Sequence, residues 1–164
     1  FGIGRFGEDR IGMYEAPLFK SEAHARTIHM GLDIGAPEGT PVFAPLAGVV
    51  WGCGILSHEG DYGGTVILKT DGEIPLYMLF GHLSIETAKR WKKGLRVEKG
   101  ELLGWLGGKL ENGGWNPHLH WQLSWLEPLT VDLPGAIAKS NEALSRLVFV
   151  DPSEFLKVSI AGWR

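Results

Sequence analysis

The sequence predicts a mainly β domain of antiparallel strands with short peripheral helices, and three observations carry that expectation. Glycine supplies 24 of the 164 residues and falls as punctuation between apolar runs rather than in one tract. Those runs are short, several alternate faces, and most are bounded by turn residues. Helical signals are few and brief.

Taken in order, Thr40 to Ala44 and Ala47 to Trp51 read as strands divided at Pro45. Thr65 to Lys69 is a strand reached through Asp61-Tyr62-Gly63-Gly64 and left through the Asp71-Gly72 turn, and Pro75 to Leu83 is another apolar strand. Ser84 to Trp91 reads as a short helix with Ser84 as N-cap. Leu102 to Leu106 is a strand between Gly100 and Gly107-Gly108, and His118 to Trp125 alternates as a strand does. Ser140 to Leu147 reads as helix. Asp151 can cap a last turn running through Phe155, with Pro152 at a first position where its missing N–H costs nothing.

A chain of this length is expected to form one compact unit with a core that needs no disulfide staple. We expect an arm at 1–25, a β domain at 26–156 and a tail at 157–164. The net charge of -3 and pI near 6.1 imply no basic surface for nucleic acid. Lys89, Arg90, Lys92 and Lys93 read as a solvated face. No run approaches the roughly 18 apolar residues of a membrane span. The chain starts at Phe1 without a signal-peptide pattern, so a processed form or a segment of something longer is expected. Cys53, the single cysteine, sits among apolar neighbours and reads as a small buried residue. Glu59, Asp61, Glu111 and Glu127 read as solvated, and His24 and His58 as loop residues.

Four of the six histidines fall into patterns that bear on chemistry. His118-Leu119-His120 lies in an alternating run, so both imidazoles share one face of a strand while Leu119 faces the core. Their Cβ atoms stand about 7 Å apart, from a rise of about 3.3 Å per residue. That spacing suits one ring on a metal and the other acting on water beside it. His29 and Asp33 form a His-x-x-x-Asp pair, and Gly31 between them permits a bend that turns both inward. Two imidazoles and one carboxylate suit Zn²⁺ and leave a fourth tetrahedral position open, as catalytic zinc sites do. The helical motif His-Glu-x-x-His is absent. His82, after Gly81 at the end of an apolar run, could stabilise an oxyanion. Trp115, on a Gly-flanked loop, is a candidate for a groove wall.

These residues resemble the signatures of lysostaphin-type (LytM-like) zinc endopeptidases: His29-x-x-x-Asp33, Gly81-His82-Leu83-Ser84 and Pro117-His118-Leu119-His120. Gly31-Leu32-Asp33-Ile34, Gly39-Thr40-Pro41-Val42, Val97-Glu98-Lys99-Gly100 and Val150-Asp151-Pro152 agree, so the resemblance runs from about residue 26 to 156. It implies two antiparallel sheets forming a groove, a single Zn²⁺, and hydrolysis of peptide bonds in peptidoglycan. By matching motif positions, the resemblance makes His29, Asp33 and His120 metal ligands. It makes His118 the base that takes a proton from the attacking water, and His82 the residue holding the tetrahedral intermediate.

The chain departs from the family pattern at Asn112-Gly113-Gly114-Trp115-Asn116, at Gln122 where an acid is frequent, and over Ser57 to Gly64. These segments should line the groove, with Trp115 and Asn116 meeting substrate, so the departures bear on substrate rather than metal. The Glu111-to-Trp115 segment and the Ile3-to-Glu8 start are similar to a branch found inside larger bacterial proteins. The resemblance therefore implies the cell envelope or exterior, or the cytoplasm with a non-cell-wall amide if other domains of a parent chain adjoin. Two alternatives stay open: a non-catalytic binding or regulatory module on the same fold, and a phosphohistidine carrier, which Asp33 beside His29 disfavours.

Overall fold

The computed structural model describes residues 2–14, 16–20 and 25–156. His24, Trp163 and the tail expected at 157–164 lie outside the described residues. The strands are β1 (Ile3–Gly4), β2 (Arg26–His29), β3 (Leu32–Gly35), β4 (Pro41–Phe43), β5 (Gly48–Leu56), β6 (Gly63–Thr70), β7 (Tyr77–Leu83), β8 (Arg96–Val97), β9 (Leu102–Trp105), β10 (His118–Ser124), β11 (Ala136–Ala138) and β12 (Phe149–Val150). The helices are α1 (Ile85–Arg90), α2 (Glu142–Val148) and α3 (Ser153–Leu156).

The main sheet runs β1-β3-β10-β7-β6-β5-β8, with β12 also beside β10, and every pairing is antiparallel. Two antiparallel ribbons, β4–β9 and β2–β11, complete the strand pairing. This is the mainly β, antiparallel architecture with short helices that the glycine-punctuated sequence implies.

The ribbons matter because they bury the central strands on both faces. Val66, Leu68, Met78, Phe80, Trp121 and Leu123 pack with Val42 and Leu103 of the β4–β9 ribbon. The alternate residues Ile67, Tyr77 and Leu79 pack instead with Ile28 and Ile137 of the β2–β11 ribbon. A strand covered on both sides reads as a continuous apolar run, and β7 is buried at every position from Tyr77 to Leu83. Polar residues inside such a sheet need partners, and His120, Gln122 and Ser124 are all buried on β10.

Several elements differ in extent from the sequence reading. β5 continues through Gly52-Cys53-Gly54 to Leu56, past Trp51 where the sequence reading ends the strand. Val131 lies so close there that a Cβ on Gly52 would come within 2.8 Å of its Cγ2, so glycine serves packing rather than chain reversal. Glu111 accepts hydrogen bonds from the Ile85 and Gly108 amides, and Glu127 accepts from Trp51 and Tyr77. Both are anchored, not simply solvated as expected. Ser84 does cap α1, its hydroxyl accepting from the Thr87 amide at 3.1 Å.

A candidate metal centre at the end of the sheet

Strand register builds the site. In β10, His120 sits opposite Asp33 of β3 on one side and Gly81 of β7 on the other. β2 ends at His29, and Met30-Gly31 turns the chain into β3, which brings His29 back over Asp33. The turn is tight: a Cβ on Gly31 would lie 2.5 Å from His120 Cε1 and 2.6 Å from its Nε2. Only glycine lets the imidazole settle there.

Three atoms converge as a result. His29 Nε2 and His120 Nδ1 lie 3.1 Å apart, and each is close to Asp33 Oδ1, at 3.1 and 2.9 Å. Hydrogen bonding on the far side of each group fixes what those atoms present. His29 Nδ1 lies 2.9 Å from the Arg5 carbonyl oxygen, so it must carry the ring proton and leave Nε2 a bare lone pair. His120 Nε2 donates to Gln122 Oε1 at 3.0 Å, leaving Nδ1 bare. The Gln122 amide is itself oriented, because its nitrogen donates to the Pro134 carbonyl. Asp33 Oδ2 accepts from Arg10 at 2.7 Å, which leaves Oδ1 for the cluster. Three acceptors thus face one point in a buried setting, an arrangement that requires a cation or shared protons between them. Tetrahedral zinc ligands at about 2.0–2.1 Å from the ion stand roughly 3.3 Å from one another, close to the spacing here, so the donor set fits Zn²⁺.

His118 stands at the edge of this cluster, its Nε2 3.9 Å from Asp33 Oδ1. Its Nδ1 donates to the Asn116 carbonyl at 2.7 Å, so Nε2 faces the cleft as an acceptor. His82 packs against His118 with ring centroids 4.3 Å apart, and its Nδ1 donates to the Asn112 carbonyl at 2.9 Å. Burial, with repulsion from His118 and His120, holds His82 well below the usual histidine range. Burial also lowers His118. His82 has φ of 60°, a left-handed conformation uncommon for a side-chain-bearing residue. The strain is fixed on both sides, by His82 N–H to the Tyr62 carbonyl and Gly107 N–H to the His82 carbonyl.

A cleft of about 580 Å³ opens over these five residues, with Trp115 and Asn116 also on its wall. Residues 2–14 form much of one side. β1 pairs with β3, and Gly7 N–H and His29 N–H exchange hydrogen bonds along the arm with the His29 and Glu8 carbonyls. Tyr14, stacked on Phe19 at 4.4 Å, presents its ring edge-on to Trp115 at 6.1 Å.

The model of peptidase family M23 matches residues 27–132. The chain belongs to peptidase family M23. Among curated relatives of this M23 chain, the DD-carboxypeptidase/endopeptidase Mpg of Neisseria meningitidis serogroup B is 31% identical over 115 residues, 68% of this chain and 24% of that protein. The peptidoglycan DD-endopeptidase ShyC of Vibrio cholerae is 34% identical over 119 residues, 70% of this chain and 25% of the relative. The chain therefore spans about a quarter of the length of these relatives. The catalytic domain of lysostaphin from Staphylococcus simulans has the same fold, with a TM-score of 0.57 at 21% identity, over 96% of this chain and 93% of that one.

Motif reading of this M23 chain missed the groups behind the cluster. Arg10 lies in an arm without any motif, and Tyr62 hid in a segment read as turn. Yet Tyr62 is buried, donates to the Leu133 carbonyl and lies against the His120 ring at 5.0 Å between centroids. Gln122 did carry a signal. It follows His120 by two on the same strand, so it had to share that face.

Proposed function

We propose that this chain is a zinc-dependent peptidase that hydrolyses amide bonds in short peptides of the peptidoglycan type, with His29, Asp33 and His120 holding the ion. The observation that carries the reading is the convergence of three proton-free acceptor atoms whose opposite sides are all hydrogen-bonded to protein. When bound, the ion would acidify a water and polarise the scissile carbonyl.

The chain's own residues supply the rest. His118, with its Nδ1 proton committed to Asn116, offers Nε2 to the attacking water and takes its proton. The same proton is then available to the departing amine. His82 faces the cleft with Nδ1 likewise committed, so in the resting state its Nε2 is an acceptor. A proton taken up from water in the cleft would let Nε2 donate to the tetrahedral anion, whose negative charge favours the protonated ring, and that proton returns to water when the anion collapses. Trp115 and Asn116 line the cleft and would meet the peptide.

The peptidoglycan substrate class draws support from the activities for which Mpg and ShyC are named and from family membership. It is tested with a panel of muropeptides and oligoglycines, each run with and without chelator. Chelator-sensitive cleavage of muropeptides is expected. Full zinc occupancy without cleavage of any panel member would point to another amide, and cleavage that survives chelation would remove the ion from the reaction.

A further inference from the structure

We infer that Arg10 is a positioning residue of the metal centre, holding Asp33 to coordination through one oxygen from a segment that lies outside the family match. The inference rests on the metal reading proposed above and adds a residue to it. Arg10 is buried, at 8% exposure, although it belongs to the arm and precedes the matched region that starts at residue 27.

Its guanidinium is held on three sides. Nη1 donates to Asp33 Oδ2 at 2.7 Å and to the Tyr14 hydroxyl at 2.9 Å, and Nε donates to Glu8 Oε2 at 3.1 Å. The Arg10 amide donates to the Thr27 carbonyl at 2.8 Å, which pins the arm to β2. Space for the head group is provided by Gly4, the register partner of Asp33. A Cβ there would overlap Arg10 Nη2 and come within 2.9 Å of Asp33 Oδ2.

A carboxylate can bind an ion through one oxygen or both, and the choice sets the coordination number. With Oδ2 engaged by a fixed, charge-assisted donor, Asp33 offers only Oδ1. Three protein ligands then leave one tetrahedral position open for water. Outer partners of this kind orient ligands, and their loss weakens metal binding. A lysine would not reproduce the effect, since a point charge cannot hold Asp33 and Glu8 together in a planar fork.

The test uses the whole chain loaded with Co²⁺, whose visible absorption is strong in four-coordinate sites and weak at higher coordination. Zinc affinity is measured alongside by competition with a chromophoric chelator. Arg10→Met is expected to weaken the cobalt band and to lower zinc affinity about tenfold or more. Glu8→Gln, at a half-exposed position, loosens the far side of the fork and should give an intermediate loss of affinity. Should Arg10→Met fail to fold, Glu8→Gln decides alone. Unchanged band and affinity in the folded variants would overturn the inference. Failure of the unmodified chain to take up either ion is a separate outcome, which would sink the metal reading and Arg10's role with it.

Discussion

Asp33 makes different contacts with its two oxygens, and that division is where the site's chemistry begins. Burial alone would raise its pKa, but without an ion, protons shared from the His120 and His29 rings outweigh burial and hold the carboxyl well below its usual range. It is therefore a charge on which an ion can be built. His118 is close to the same oxygen, yet the proposed reading gives it a different task, since His29, Asp33 and His120 already bring three donor atoms to one point. Substitution should separate the two tasks. Asp33→Ala is expected to lose zinc and turnover together. His118→Ala should keep stoichiometric zinc while turnover falls about 10²–10⁴-fold, the usual contribution of a general base. Metal analysis beside kinetics checks both, and zinc lost from His118→Ala would exchange the roles of the two rings in the His-x-His pair.

At the scale of elements, β7 and α1 form one device, a strand that ends one residue after the strained His82 and passes at once into a capped helix. Ser84 accepts from Thr87 N–H at 3.1 Å, and Ser84→Ala should destabilise the fold by about 1 kcal/mol. Thermal unfolding would read that loss. An effect confined to zinc affinity, with stability unchanged, would mean the cap serves the site rather than the helix. This device was partly legible in advance, because a serine before a short polar-apolar run is a local signal, as is the period of two that puts His118 and His120 on one face. The arm was not legible. β1 exists because Ile3 and Gly4 pair with Ile34 and Asp33 some thirty residues on, and two residues carry no pattern of their own. Arg10 and Tyr62 escaped for the same reason: what identifies them is a partner distant in sequence. The β5 glycines left the strand's extent unread because a side-chain-free position can mean a turn or a close neighbour, and here it is Val131.

For the molecule as a whole, the site joins pieces that the sequence separates. The proposed ligands come from β2, β3 and β10, and their outer partners are Arg5 and Arg10 of the arm and Gln122 of β10. A metal that binds the folded chain alone must then stabilise it by mass action. Zinc at about a hundred times its dissociation constant should contribute about 2.7 kcal/mol, read as a rise in melting temperature that chelation reverses. No helix among the described residues is long and apolar enough to cross a membrane. A melting temperature indifferent to zinc would mean that the ligands are not brought together by folding.

The central claim, that folding delivers three acceptors to one ion, is tested most directly by diffraction from zinc-soaked crystals with data recorded on both sides of the zinc absorption edge. The account predicts one strong anomalous peak bounded by His29 Nε2, Asp33 Oδ1 and His120 Nδ1, with His118 and His82 beside it but not bound. A fully loaded crystal whose peak lies elsewhere, or a peak that includes His118 in place of His120, would contradict it.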